Sequence, residues 1–391
     1  MKQKLIRIVD KTVIAALVWM AGRRRRRGLD QQGGQHWVVI KLVGMGDAVL
    51  MLPALAAMRA AGKRVTVITS ARCGQIFAAP GVADDVVVYR KRHWWEHGRA
   101  VWQAMRNCNG VLDFEQHVFW STAVTLLSHA QCERFGFWTE SGTRNRGYDR
   151  LVDPGTSPRP MKEIFDELAR AAGFAPAAGL IPLPIAPENE ERVRDWLQSN
   201  ALNKGGYVVM APGSGATVGF RRLPAGAWAK AIAAVPAGAG VVLVGTRIDA
   251  GLMGEIAAAA KRTVFQETTF NLEQLGKLME GARVVVATDS GPMHLAAAMG
   301  ARVVGVFGPD TPRRYAPYNQ VSESVTLDLP CSPCNNCWRY QEARCSNPDA
   351  YACIRRLPAS LVEAALRRRW DAGAGSDASS GSAITAERAH D

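Results

Sequence analysis

Asp289, Ser290, Gly291, Pro292 and His294 fall within six residues of one another, between the apolar segments 283–288 and 302–308. A strand that ends in such a turn and restarts as a helix gathers the helix's first N–H groups, which have no intrahelical partners, at one point. Pro292 suits the first helical turn, and Ser290 is a residue type that caps it. The exposed N–H groups and the helix dipole then make an anion site, with His294 within reach of a bound phosphate. In isolation the same residues read as a capped helix start carrying a packed histidine. Two further motifs favour the anion.

The first is APGSGATVGFRRLP, residues 211–224. A Gly/Ser loop that includes Ser214 leaves a strand there and delivers Arg221 and Arg222 ahead of a proline-led helix. Guanidinium groups beside a helix-end anion site suit a diphosphate, whereas two solvated surface arginines are the plainer reading of the pair alone. The second is IKLVGMGDAVLMLPAL, residues 40–55. Gly44 and Gly46 permit a tight turn and close approach of a ligand, and Asp47 sits at a helix start facing the cleft, as a proton acceptor or simply as a cap. This is not the dinucleotide fingerprint. Its third glycine falls at Val49, and strand 64–70 ends in Ser70 where an acid would hold a ribose.

Five of the eight cysteines, Cys331, Cys334, Cys337, Cys345 and Cys353, lie in the segment 331–353. Gaps of two residues suit a structural Zn or Fe site; free or buried thiols are the alternative.

These groups need a frame. Apolar strands are predicted over 36–42, 64–70, 84–90 and 110–115, with an amphipathic helix over 160–174 that turns Ile164, Phe165, Leu168 and Ala172 to one side. A proline-rich link spans 179–191, and the pattern then restarts with strands at 207–214, 240–246, 283–288 and 302–308. Helices fall between them, one of them capped by Asn271. Alternation of this kind implies an α/β chain with two mostly parallel sheets, and ligands of such sheets sit beyond the carboxyl ends of the strands. The expected division is a membrane-surface segment 1–35, a first domain 36–180, a linker 181–191, a second domain 192–370 that holds the cysteine segment, and a disordered tail 371–391.

The chain has 391 residues, 48% apolar and 21% charged, with a net charge of +13. That excess suits phosphate and anionic lipid. No paired-histidine zinc finger or aromatic RNA-binding strand is present, so nucleic acid is not an expected partner. Residues 1–22 show helical apolar spacing, and Arg23–Arg27 follow at once. The uncharged run from Thr12 to Gly22 is too short to span a bilayer, and the arginines oppose export. The expectation is an amphipathic helix lying on an anionic membrane surface, which places the protein peripherally on the cytoplasmic face of a bacterial inner membrane.

The order of these motifs resembles the ADP-heptose:lipopolysaccharide heptosyltransferase family, glycosyltransferase family 9. The likeness rests on IKLVGMGDAVLMLPALAAMR, PGSGATVGFRRLP, VVLVGTRID and the stretch from Thr268 to Tyr318, and covers residues 37–360. It implies a GT-B fold, two Rossmann-like domains facing across a cleft. It also implies an inverting, metal-independent transfer of heptose from ADP-heptose to a lipid-linked glycan such as the lipopolysaccharide core. Carried over by position, Asp47 is the general base, Arg221 the cation that neutralises the leaving diphosphate, and Asp289, Ser290, Gly291 and His294 the donor-binding turn. Leu223 stands where the family often has tryptophan. A donor other than ADP-heptose, a protein acceptor, or a non-catalytic nucleotide-sugar-binding membrane protein are the other readings.

Overall fold

The computed structural model describes residues 35–89, 94–116, 118–129, 131–140, 142–155, 157–215, 219–334 and 345–372. The expected N-terminal amphipathic helix, Cys337 and the tail from residue 373 onward lie outside these residues.

Two six-stranded sheets organise the chain. The first contains β1 (His36–Lys41), β2 (Arg64–Ser70), β3 (Asp85–Tyr89), β4 (Gly110–Asp113), β5 (Glu133–Phe137) and β6 (Arg150–Val152), in the order β3-β2-β1-β4-β5-β6. The second contains β7 (Tyr207–Ala211), β8 (Gly240–Val244), β9 (Phe265–Glu267), β10 (Val284–Thr288), β11 (Val303–Val306) and β12 (Glu323–Val325), in the order β12-β11-β10-β7-β8-β9. Every pairing is parallel. Counted from its own first strand, each sheet has the same doubly wound order, with one switch point between β1 and β4 and the other between β7 and β10. Parallel strands covered on both faces must be apolar throughout, and Val38, Val39 and Ile40 of β1 and the whole of β10 are buried accordingly. Strands β5, β6, β9 and β12 do not stand out in the sequence. They are short or interrupted by charge, as in Glu133-Arg134 of β5.

The helices that matter for the site are α1 (Met45–Leu50), α2 (Leu52–Ala60), α3 (Met161–Ala171), α4 (Pro187–Ser199), α5 (Leu272–Gly281), α6 (Gly291–Ala298) and α7 (Ala359–Ala372). Ile164, Phe165 and Leu168 of α3 are buried as the periodicity requires, while Ala172 falls at its C-cap. Gly62, in left-handed backbone, closes α2. Asn271 caps α5 in a reciprocal pair with Gln274. The predicted linker 181–191 is only partly a linker, because Pro187 already opens α4. Asn189 and the N–H of Ala186 bond to Glu273 Oε2 of α5, each at 2.8 Å, and this fixes α4 to the second domain. The core does not stop at the domain boundary. Leu295, Ala298 and Met299, from α6 and its C-cap, share one apolar cluster with Val49, Leu52 and Phe165 of the first domain.

At the carboxyl end of β4, Asp113 is fully buried and accepts from Ser121 Oγ (2.7 Å), Glu115 N (2.9 Å), Arg144 Nη2 (3.2 Å) and the Tyr148 hydroxyl. Arg144 also donates to the carbonyl of Glu115. Burial pushes the Asp113 carboxyl above the usual range, against the pull of Arg144. A buried ion pair of this kind is costly to break from one side. Arg144→Met, which leaves Asp113 an uncompensated buried charge, is expected to cost about 3–5 kcal/mol, read as a drop in the urea unfolding free energy; a loss below about 1 kcal/mol would contradict this account of the network.

Candidate active site

The two switch points supply the site. Beyond β1 the chain turns at Gly44, whose φ of +87° is left-handed and whose missing β-carbon leaves room for the Asp47 carboxylate. Asp47, in the first turn of α1, is thereby folded back onto Lys41, the last residue of β1. Lys41 Nζ donates to Asp47 Oδ2 at 2.9 Å and stands 3.7 Å from Glu115 Oε1. Glu115 Oε1 in turn accepts from the N–H groups of Leu42 (2.6 Å) and Val43 (2.8 Å), and so pins the turn itself. Burial works against a charge on Lys41, but Asp47 and Glu115 outweigh it and hold the ammonium above its ordinary range. Lys41 is 2% exposed, whereas the Asp47 side chain keeps 23% of its surface. The carboxylate is therefore anchored from behind and open in front.

On the opposite lobe the loop after β7 lies against the end of β10, where Thr288 Oγ1 donates to the carbonyl of Gly213 at 2.7 Å. This brings Ser214, itself buried, beside the Asp289 turn. Ser290 occupies the N-cap position of α6, but its hydroxyl bonds back to the carbonyl of Thr288 at 3.0 Å and caps nothing. The expected cap is thus corrected: no cap side chain bonds the first turn of α6, which keeps those donors available to an anion. Pro292 sits in that first turn, as expected. Arg221 reaches the same point. Its Nη1 lies 3.4 Å from Asp289 Oδ2, and its Nε lies 2.7 Å from Asp310 Oδ2. Arg222 does not join it; it pairs with the buried Asp249 at 3.1 Å. Adjacent residues leaving one short turn point apart, so the two arginines read together in the sequence hold different carboxylates.

The lobes meet at two glycines. A β-carbon at Gly46 would fall 2.5 Å from His294 Cδ2, and one at Gly291 would strike the Met45 side chain. Gly46 therefore lies on the imidazole, and α1 abuts the start of α6. His294 is 3% exposed and its Nδ1 makes no hydrogen bond among the described residues. Burial, against the upward pull of Asp47 and with a smaller push from Arg221, lowers its pKa to about 4. Asp289 moves the other way: burial, and Asp310 beside it, push its carboxyl up to about 7 against the pull of Arg221. The assembly is a carboxylate on one lobe facing a guanidinium, a neutral imidazole and a helix N-terminus on the other. Such a site can remove a proton and bind the anion that departs.

Sequence reasoning missed Lys41, Glu115, Asp249 and Asp310. The one available signal was a lysine inside the otherwise apolar strand 36–42. The cysteine segment sits behind Asp310. Ser332 Oγ donates to the carbonyl of Gly308 (2.9 Å), and Cys334 N donates to that of Pro309 (3.0 Å). Cys331, Cys334, Cys345 and Cys353 are free thiols close enough for their charges to interact, and burial raises the pKa of Cys334 and Cys353. Among the described residues no three His, Cys, Asp or Glu side chains are arranged to hold a metal ion.

The two shifted groups give opposite pH slopes. His294, displaced from 6.5 to about 4, contributes stability that is present above pH 6.5 and lost as pH falls through that window. Asp289, displaced from 3.8 to about 7, contributes stability that is present below pH 3.8 and lost as pH rises through 7. In Asp289→Asn the acid-side loss stands alone, so the urea midpoint should fall on acidification from about pH 6.5 to 4.5. In His294→Gln it should fall instead as pH rises over the same span. Slopes of equal sign in the two variants would refute these placements.

A family model described as glycosyltransferase family 9 (heptosyltransferase) matches residues 99–342. Lipopolysaccharide heptosyltransferase 1 of Pseudomonas aeruginosa is 38% identical over 64 residues, 16% of this chain and 18% of that protein. The chain thus matches less than a fifth of the length of the curated relatives it resembles. The solved structure of E. coli ADP-heptose LPS heptosyltransferase II superposes with a TM-score of 0.66 at 18% identity, over 86% of this chain and 99% of that one. E. coli heptosyltransferase WaaC with ADP does so at 0.63 and 19% identity, over 85% and 99%. These structures share the GT-B architecture of two facing parallel sheets, and with 244 of its 391 residues inside the family model, the chain belongs to glycosyltransferase family 9, the heptosyltransferases.

Proposed function

We propose that this protein is an inverting glycosyltransferase that moves a heptose from ADP-heptose to a lipopolysaccharide-core or related lipid-linked glycan acceptor. The observation that carries the reading is the placement of Asp47, half open and anchored by Lys41, across from Arg221, His294 and the first turn of α6. The choice of donor draws on the relatives: WaaC has been solved with ADP and with ADP-2-deoxy-2-fluoro heptose.

In this reading the donor's diphosphate lies against Arg221 and the N–H groups of α6. An acceptor hydroxyl gives its proton to Asp47 as its oxygen attacks the anomeric carbon. The bond from that carbon to the diphosphate oxygen breaks, and the electron pair leaves with the nucleotide diphosphate. One displacement inverts the anomeric centre. Arg221 and the helix N-terminus stabilise the charge that grows on the leaving group, and they are in place before it forms. Lys41 acts through Asp47, fixing the carboxylate on the acceptor side. Transfer uses no metal in this scheme. The cysteine segment is read as structural: Cys331, Cys334, Cys345 and Cys353 are the residue types that zinc or iron takes, although the described thiols are not arranged around an ion. The N–H of Tyr351 donates to Cys345 Sγ at 3.1 Å and Asn347 Nδ2 donates to Cys331 Sγ at 3.4 Å. Residues 1–28, with the +13 charge, would hold the enzyme peripherally on the cytoplasmic face of the inner membrane. Among the described residues no helix is long and apolar enough to cross a membrane.

Asp47→Asn should lower turnover by about 10²–10⁴-fold, measured as ADP release from ADP-heptose with a truncated core acceptor, and leave ADP affinity unchanged. Undiminished turnover would remove Asp47 as the base, and no turnover in the parent protein with any nucleotide sugar of a panel would favour the non-catalytic binder. Elemental analysis of protein purified without an affinity tag tests the zinc or iron role: about one ion per chain would assign it to the cysteine segment, and metal-free, fully folded protein would leave the thiols without it.

A further inference from the structure

We propose that the two described ends of the cysteine segment, residues 331–334 and 345–354, form the brace that sets the donor clamp, acting on it through Asp310 and through the stacked rings of Phe220 and Tyr351. The inference rests on the reading of Arg221 as a donor-site residue. Arg221 sits in a single 3-10 turn, Gly219–Arg221, so the turn has little regular structure of its own to orient a long side chain. Besides the carbonyl of Asp289, which accepts from Nη1 at 3.3 Å, two contacts from elsewhere hold this turn. Asp310, 1% exposed, is ion-paired to the guanidinium, with Oδ2 2.7 Å from Nε. Phe220, the preceding residue, stacks on Tyr351 with ring centroids 5.4 Å apart and 15° between planes.

Both contacts lead to one stretch of chain. The loop that delivers Asp310 is held by Ser332 on the Gly308 carbonyl and by Cys334 on the Pro309 carbonyl. Ile354 fills the space where a Gly308 side chain would be. Tyr351 lies three residues before Ile354, and Cys345 Sγ accepts from its N–H. Tyr351 also carries a φ of +60°, a left-handed backbone that a bulky L-residue adopts only at a cost. Glycine would relieve that cost, so the ring at this position is retained against backbone preference. The segment thus reaches the two loops of the clamp, 219–222 and 307–310, and fixes the spacing between them. Asp310 and Tyr351 are positioning residues in this scheme; neither is assigned a contact with the donor.

The test is calorimetric titration of the full chain with ADP, and separately with adenosine, which lacks the diphosphate. Asp310→Asn should weaken ADP about tenfold. Tyr351→Gly should weaken it about threefold to tenfold. Tyr351→Phe keeps the ring and should bind as the parent does. Adenosine affinity should not move in any of them. Arg221→Ala serves as the reference and should weaken ADP at least tenfold. If Arg221→Ala weakens ADP while Asp310→Asn and Tyr351→Gly do not, the brace is wrong and the donor site stands. Equal losses for ADP and adenosine would also overturn the brace, because a merely structural defect spares neither. Unchanged ADP binding in Arg221→Ala would remove the donor-site reading, and the brace with it.

Discussion

The site exists because two short helices touch where neither has a side chain in the way. Gly46 rests on the His294 ring and Met45 fills the space over Gly291, so α1 and α6 approach more closely than any pair of larger residues would allow. That approach is what places a carboxylate of one sheet within electrostatic reach of an imidazole and a carboxyl of the other. The rest of the architecture serves it. Both sheets are doubly wound in the same order, both present their switch points to the shared cleft, and the apolar residues of α6 are packed into the first domain's core.

The charges are arranged alike on the two sides. Lys41 stands between Asp47 and Glu115, and Arg221 between Asp289 and Asp310. Each lobe therefore pairs one cation with two carboxylates, which keeps a buried cation charged without a bound ligand. The arrangements differ in what they leave open. Lys41 is sealed, and Asp47 is the exposed member. On the other lobe burial and the neighbouring Asp310 push the Asp289 carboxyl up to about 7, which weakens the negative charge it sets against Arg221. A proton on one acid and its absence from His294 are two results of the same dry environment.

Much of this was legible in the sequence, for identifiable reasons. Strands β7 and β10, and the Val38–Ile40 stretch of β1, are buried and so read as apolar runs. A glycine or an acid follows each strand closely, and this drew attention to Asp47, Ser214, Asp289 and His294. Strands β5, β6, β9 and β12 escaped because short or charged strands have no such run. Glu115 and Asp310 escaped for another reason. Their partners, Lys41 and Arg221, lie far away along the chain, and only strand order and register bring them together. Ser290 was the right residue in the right position with a different bond: its hydroxyl donates to the Thr288 carbonyl and accepts from no N–H of the first turn. Arg222 pairs with Asp249 rather than with the carboxylates that hold Arg221, because adjacency in a turn does not imply a common direction.

The cluster that joins Leu295, Ala298 and Met299 to the first domain limits how the molecule can breathe. Parting the lobes at that seam would wet a continuous patch of hydrocarbon, a loss that scales with the area exposed. Motion that opens the cleft is cheaper as a swivel about the seam than as a separation across it. The fulcrum then lies beside Gly46 and His294, and the widest excursion falls at the rim, farthest from the reacting atoms.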